Sequence, residues 1–242
     1  MTTTDSRNSP PPPSRVPRRI VIWDLPVRAF HWVLAILVVF SFVAGKVGGG
    51  WMEWHLRSGY AILALLVFRL AWGVAGSANA RFTHFVHGPQ AAMQYVAGLR
   101  AGRRPLLAGH NPLGGWMVLF LLAILAAQVG TGLFADDEIA TQGPLAVIVS
   151  ETLVARMTGL HSLNSWIIVG AVAFHVATVM FYQWKLGIDL ISPMVRGWRD
   201  AADGIAADEP KRAPLLLAIA LLALAAAAVY ALVVIYPRGA AT

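Results

Sequence analysis

The sequence contains no cysteine and few charged residues for its length. The absence of cysteine excludes disulfides, thiolate metal sites, cysteine-ligated iron–sulfur clusters and the covalent attachment of haem through a C-x-x-C-H motif. Asp, Glu, Lys and Arg together make up 13% of the 242 residues, roughly half of their share in soluble domains. Any cofactor must therefore be held by His, Met, carboxylates or packing, and the low charge argues against a soluble domain.

Apolar residues dominate, at 57% of the chain. They form runs of about 20 residues, which is the length that an α-helix needs to cross a bilayer. We therefore predict an integral membrane protein with five spans, at about residues 29–47, 52–74, 112–134, 160–184 and 214–236. The formal charge of +7 comes from Lys and Arg in loops beside these spans, which indicates contact with membrane lipid and not with nucleic acid.

The regions outside the spans define the domain organisation. Residues 1–19 are polar and rich in proline, with no apolar core, so we expect a disordered cytoplasmic arm and not a cleavable signal peptide. Residues 20–200 are the expected membrane core, residues 201–213 a charged linker and residues 214–236 a C-terminal transmembrane helix. Within the core, residues 89–99 predict a short interfacial helix, and Asn111-Pro112 predicts the start of the third span.

The distribution of Lys and Arg predicts the orientation in the membrane. Fifteen lie on the side of the N-terminal arm and four lie on the other side, if there are five spans. Cytoplasmic loops carry the excess of Lys and Arg. We therefore expect a cytoplasmic N-terminus and a C-terminus on the outer side.

Two histidines of the fourth span are the most informative feature of the sequence. His161 and His175 are fourteen residues apart in an almost wholly apolar segment. In a helix this spacing gives about 21 Å of rise and returns to within about 40° of the starting direction. Both imidazoles are therefore predicted on one helix face, near opposite edges of the membrane, with apolar Ile168 and Val172 between them. Ionisable groups at membrane depth are costly and indicate a functional site.

The predicted topology gives each of these histidines a partner at its own depth. His31 opens the first span on the side of His175, and His55 opens the second span on the side of His161. Imidazole is a standard axial ligand of haem iron, and two imidazoles leave no open position on the metal. A single membrane histidine is as readily a hydrogen-bonded bundle residue or a member of a proton relay. The pairing of all four favours haem ligation.

Other polar residues near the spans have less specific interpretations. Arg28, Arg57 and Arg69 could each bind a haem propionate, or each could anchor its helix at the interface, and both interpretations stay open. The remaining histidines lie in a polar loop, and we do not expect them to be ligands. They are His84, His87 and His110.

The combined motifs resemble the bacterial cytochrome b561 family, which includes b-type cytochrome subunits of nickel–iron hydrogenases. The resemblance covers residues 20–200 and rests on Trp23-Asp24, Arg28, His31-Trp32, His55-Leu-Arg-Ser-Gly-Tyr60, Arg69-Leu-Ala-Trp-Gly73, Arg81-Phe82, Gly109-His-Asn-Pro-Leu-Gly114 and Thr131-Gly132, with His161 and His175. It implies a bacterial cytoplasmic (inner) membrane protein with a four-helix core. It also implies two b haems with bis-His ligation, by His31/His175 and His55/His161.

The predicted fold class is therefore all-α, an integral membrane four-helix haem-binding bundle with a fifth C-terminal transmembrane helix. The leading functional hypothesis is a di-haem b-type cytochrome that transfers electrons between the quinone pool and a redox partner. That partner is a c-type cytochrome or an oxidoreductase subunit on the periplasmic side. Within this interpretation the protein could also be a superoxide:quinone oxidoreductase, and we predict no catalytic residue. The alternatives are a proton-coupled transporter or channel with a histidine relay, which needs a polar lining, and a purely structural anchor.

Overall fold

The computed structural model describes residues 19–103, 109–200 and 211–237. Five of its helices are long and apolar enough to cross a membrane, as predicted. The helices are α1 (Leu25–Val47), α2 (Met52–Ala75), α3 (Phe82–Phe85), α4 (Pro89–Arg100), α5 (Pro112–Gly132), α6 (Glu151–Trp184), α7 (Ile191–Arg196) and α8 (Leu215–Tyr230), which continues as a π-helical turn (Ala231–Ile235). Two short strands, β1 (Arg19–Val21) and β2 (Trp198–Asp200), pair antiparallel.

Side-chain caps define where three of the five spans begin. Asp24 accepts a hydrogen bond from the Val27 amide at 2.8 Å, and Asn111 accepts one from the Gly114 amide at 2.7 Å. Ser150 caps the first turn of α6 in the same way. Such caps satisfy amides that have no partner inside the helix. The predicted start of the third span at Asn111-Pro112 is confirmed.

The boundaries of two spans differ from the prediction. The first span begins at Leu25 and not near residue 29, because Asp24 provides the cap. The fourth begins at Glu151 and not near residue 160, so α6 has 34 residues and is about 51 Å long, well beyond an apolar thickness of about 30 Å. The prediction follows the apolar run, which begins near residue 160, whereas the helix already begins at Glu151. The short helix predicted at residues 89–99 is present as α4.

The spans pack as two antiparallel pairs, α1 with α2 and α5 with α6, and α2 joins the pairs by contacting α5. Helix α8 packs on α2, and it buries Ala218 and Ala225 in the common core. The fifth span is thus packed on the bundle. The backbones of α1 and α6 stay apart over their described residues, although α1 carries one of the predicted ligand histidines and α6 carries two. A gap between helices is therefore part of the architecture.

The two ends of the bundle differ, and we name them by their contents. The ribbon end holds the β1–β2 ribbon, in which Arg19 pairs with Asp200, together with α3, α4 and α7. The Ala213 amide donates to the Ser77 hydroxyl at 3.0 Å and joins the start of α8 to this end. The far end holds the Gly49–Trp51 turn and the loop between α5 and α6.

Parts of two predicted segments lie outside the described residues. Of the predicted disordered arm, residues 1–19, only Arg19 is described, and it belongs to β1. Of the predicted linker, residues 201–213, only residues 211–213 are described. The carbonyl of Lys211 accepts a hydrogen bond from the Ala78 amide at 3.0 Å, so this part of the linker contacts the bundle.

Candidate functional site

The structure brings all four predicted histidines together in two pairs, one towards each end of the bundle. His55 on α2 faces His161 on α6 towards the far end, with ring centroids 5.8 Å apart and ring planes at 90°. His31 on α1 faces His175 on α6 towards the ribbon end, with centroids 6.5 Å apart and planes at 53°. We call these the far pair and the ribbon pair. Helix α6 contributes to both, as the spacing of its histidines predicts.

Backbone carbonyls hold both imidazoles of the far pair. Nδ1 of His55 lies 2.8 Å from the Ser41 carbonyl oxygen, and Nδ1 of His161 lies 2.9 Å from the Gln128 carbonyl oxygen. A carbonyl only accepts, so each Nδ1 carries the proton and donates it. Each Nε2 is then the basic nitrogen, which is the form in which imidazole binds a metal.

Side-chain amides extend this arrangement on α5 and α6. Nδ2 of Asn164 donates to the Gln128 side-chain oxygen at 2.8 Å and to the Ile124 carbonyl at 2.9 Å. The Gln128 amide nitrogen consequently faces His161, 3.1 Å from its Nε2. The sequence analysis did not single out Gln128 or Asn164. Polar residues inside an apolar span are a general sign of function, so this signal was available.

Two glycines provide the space that the far pair occupies. A Cβ atom at Gly45 would lie 2.9 Å from Nδ1 of His55, and one at Gly132 would lie 2.8 Å from Cε1 of His161. Both distances are shorter than ordinary van der Waals contact, so a larger residue in place of either glycine would collide with the imidazole beside it. Gly132 belongs to the Thr131-Gly132 motif of the family resemblance, whereas Gly45 was not predicted from the sequence.

A cavity of about 250 Å³ lies between the helices at the far pair. Side chains of α1, α2, α5 and α6 line it, and both His55 and His161 belong to its wall. Most of the lining is apolar, and Tyr60, Gln128 and Lys46 add polar groups. The arrangement is typical of a ligand pocket, an apolar space with a few placed polar groups.

The ribbon pair has different surroundings. Nδ1 of His31 is buried and has no hydrogen-bond partner among the described residues. The ring lies edge-on to Trp32, with centroids 4.9 Å apart. Its partner His175 is half-buried. Packing, and not a backbone carbonyl, therefore surrounds the His31 ring.

The three predicted arginines lie in three different environments. Nη1 of Arg28 donates to the Val195 carbonyl at 2.6 Å, and its Nε is buried without a partner in the described chain. Arg69 is 3% exposed, with its guanidinium 4.8 Å from the Phe82 ring centroid. Its Nη1 also has no partner among the described residues. Arg57, by contrast, is exposed and forms an ion pair with Glu53.

One histidine of the polar loop, His110, packs between aromatic rings at the ribbon end, with its Nδ1 buried. The His110 ring lies 4.4 Å from the Phe85 ring and 4.5 Å from the Trp23 ring, centroid to centroid. Burial, and then the charge of nearby Arg69, lower the pKa of His110 to about 3. This contact was not predicted, because it joins His110 to Phe85 of α3, and a contact between distant segments leaves no local sequence pattern. His84 is exposed, as expected for a polar loop.

Five apolar helices, three of which carry the paired imidazoles, define a multi-pass membrane protein of the helical b-type cytochrome class. A family model described as prokaryotic cytochrome b561 matches residues 22–197, and the chain belongs to this family. The family binds b-type haem and serves membrane electron transfer, as the resemblance implied. A comparison with curated proteins gives no match. Helix α8 lies outside the matched residues.

The ring separations of both pairs match the separation expected for two imidazoles on opposite sides of one metal ion. An imidazole nitrogen lies about 2 Å from a bound metal ion, so two opposed rings place their centroids roughly 6 Å apart. The observed separations are 5.8 and 6.5 Å. Among the described residues no group of three or more metal-ligating side chains exists. Each pair thus suits a metal whose other ligands come with a cofactor.

Proposed function

We propose that the protein is a di-haem cytochrome that carries single electrons across the bacterial cytoplasmic membrane. In this proposal His55 and His161 hold one b haem, and His31 and His175 hold the other. The observation that carries it is the spacing on α6. Its two histidines, fourteen residues and about 21 Å apart along the helix, each face one imidazole from another helix.

The chain's own residues set the chemistry of these positions. Bound b haem supplies a one-electron couple. An imidazole from each of two helices would hold the iron and leave no open position for oxygen, which would favour electron transfer. At the far pair, the carbonyls of Ser41 and Gln128 fix the tautomer and the ring orientation of the ligands.

The segment of α6 between the pairs supports separate redox centres over a proton relay. Ile168 lies between the two histidines, is 6% exposed and belongs to the core cluster. Val172, also between them, is apolar and 38% exposed at the outer surface of the bundle. A histidine relay for protons needs polar groups along this path. An electron does not.

Two arginines with buried nitrogen atoms support propionate binding at the ribbon end. Arg69 is buried with a free Nη1, and Arg28 has a free Nε, each without a partner among the described residues. Buried cations are stable when they are paired, and a haem carboxylate supplies the pair. For Arg57 the contacts support the other interpretation, helix anchoring, because Glu53 already neutralises it.

The partners follow from the proposed orientation. The excess of Lys and Arg beside the ribbon end, fifteen against four over the whole chain, favours a cytoplasmic ribbon end. The far end, including the C-terminus, is then periplasmic. We propose that the protein connects a quinone or quinol in the bilayer with a periplasmic c-type cytochrome or an oxidoreductase subunit.

Haem stoichiometry tests the proposal directly. A pyridine haemochrome assay on the purified chain should give two b haems per protein, and dithionite should produce a b-type reduced spectrum. Stopped-flow mixing of the protein alone with quinol, and separately with superoxide, distinguishes a relay subunit from an enzyme. A preparation that carries no haem after expression with adequate haem supply contradicts the proposal.

A further inference from the structure

Lys46 lies at the mouth of the far-end cavity. It belongs to the last turn of α1 and to the lining that includes His55 and His161. Its ammonium group is 4.9 Å from the Trp166 ring centroid and 5.4 Å from that of Phe42. These two rings meet edge to face, with centroids 5.7 Å apart. Phe42, Lys46 and Trp166, the mouth cluster, thus join α1 and α6 through side chains, while the two backbones stay apart.

The charge of Lys46 is not neutralised. Among the described residues no carboxylate lies within ion-pair distance of it. Of the described cavity lining, it is the residue that carries a full charge at neutral pH. A cation at a helix C-terminus near the interface has a general explanation in the helix dipole and in snorkelling. That explanation does not account for the position of this exposed side chain, whose ammonium group lies beside two aromatic rings at the cavity mouth.

Arg57 provides an internal comparison at the same end of the molecule. It is also a cation beside an aromatic ring, 5.1 Å from the Trp54 centroid. Its charge is neutralised by Glu53, one helical turn away, and it does not line the cavity. Of these two far-end cations, Arg57 has a carboxylate partner and Lys46 has none among the described residues, and it is Lys46 that lines the cavity.

We propose that Lys46 binds a carboxylate of the haem held by His55 and His161, and that the mouth cluster closes over that group. This inference rests on the proposed function. A haem brings two carboxylates into a largely apolar site, and a buried carboxylate needs a charged partner. Lys46 is the group that the far cavity offers for this contact.

Haem and its dimethyl ester test the contact, because the ester lacks free carboxylates. We use the full chain in a His175→Ala background, in which only the far site loads haem under the proposed function. The apoprotein should bind haem about tenfold more tightly than the ester, because one charge-assisted hydrogen bond changes an affinity by about this factor. Lys46→Gln should remove this preference, Lys46→Arg should keep it, and the matched control Arg57→Gln should keep it too.

The outcomes separate the inference from the proposed function. If the His175→Ala parent binds no haem, the proposed function fails. If the parent binds haem and its ester equally, the carboxylate contact is absent, and this result needs no Lys46 variant. A tenfold preference that survives Lys46→Gln assigns the carboxylate to another residue and overturns the inference. In an otherwise unaltered chain, Lys46→Gln should still load the ribbon-end haem, which shows that the variant folds.

Discussion

The far pair and the ribbon pair have the same ligands at nearly the same separation, but the protein prepares them differently. Backbone carbonyls fix both imidazoles of the far pair, and two glycines leave room for the rings beside the cavity. At the ribbon pair, Nδ1 of His31 has no hydrogen-bond partner among the described residues. The far site is therefore preorganised by the backbone, whereas the ribbon site relies on packing around its ligands.

The two sites should therefore respond differently to substitutions near their histidines and to loss of the cofactor. A metal ligand held by a second hydrogen bond keeps its orientation without the metal. Small steric changes beside the far pair then act on rings that cannot turn away. The ribbon pair should tolerate similar changes better but should depend more on the cofactor for its order.

The largest expected effect is the loss of one haem at a time. His161→Ala or His55→Ala should remove the far haem and keep the ribbon haem, and His31→Ala or His175→Ala should do the reverse. The pyridine haemochrome assay should fall from two haems to one in each case, because an imidazole supplied from one side does not retain a bis-His haem.

Exposed His84 at the ribbon end is the control for these substitutions, and His84→Ala should keep both haems. Two haems retained in any of the four variants would falsify the pairing. Loss of both haems from one variant that remains folded would show that the two sites do not load independently.

The next largest effect should come from Gly132→Ala. The added Cβ would lie 2.8 Å from the His161 ring, and the carbonyl of Gln128 prevents the ring from moving aside. We expect about a 10- to 100-fold loss of affinity for the far haem, the range for disturbed support of a metal ligand. Haem titration of the apoprotein in the His175→Ala background measures it.

Gly130→Ala is the matched control on the same helix. A Cβ at Gly130 would meet no atom of the described chain within 4 Å, and alanine has the better helix propensity. It should leave haem affinity unchanged. Equal effects of the two substitutions would mean that the steric argument at His161 is wrong.

A smaller effect is expected at the ribbon end, from His110 and pH. Its pKa is lowered to about 3, by burial and then by Arg69, whereas the unfolded value is about 6.5. Below pH 6.5 the unfolded chain binds a proton that the folded chain does not. Stability should therefore fall as pH decreases from 6.5 towards 3, by about 1.4 kcal/mol per pH unit.

Thermal denaturation in detergent at pH 7.5 and 5.5 measures this dependence. His110→Gln should lose less stability between the two pH values than the parent, by about 1 kcal/mol. His84→Gln should behave like the parent, because His84 is exposed. Taking the difference between variants isolates His110 from the histidines of the spans. An unchanged pH dependence in His110→Gln would contradict the role assigned to its burial.

Much of this architecture follows from the sequence because membranes impose simple rules. Apolar runs predict the spans, and the spacing of His161 and His175 predicts one helix that serves both pairs. Local caps are also readable, as at Asn111. These features depend on one segment of chain at a time.

The features that the sequence analysis missed depend on contacts between distant segments. Gly45 faces a ring on the next helix, and the carbonyls that hold the far pair belong to α1 and α5, where any residue type supplies one. The β1–β2 ribbon joins strands about 180 residues apart in the chain, and three-residue strands have no recognisable period. Side-chain identity therefore predicts the ligands better than it predicts the groups that orient them.

The smallest expected effect comes from Ser41→Ala and concerns the far pair alone. The Ser41 hydroxyl lies 3.2 Å from Nδ1 of His55, beside the stronger contact to the Ser41 carbonyl at 2.8 Å. Ser41→Ala removes the hydroxyl and keeps the carbonyl, so the far haem should stay bound. Weaker hydrogen bonding from Nδ1–H makes the imidazole less basic, so it stabilises ferric iron less. The midpoint potential should therefore rise by roughly 20 mV, about a third of the 59 mV that a tenfold change gives in a one-electron equilibrium. Redox titration should show this shift at the far haem alone, because the ribbon pair contacts neither atom of Ser41. A shift of both potentials, or of the ribbon haem only, would mean that the two sites are not held independently.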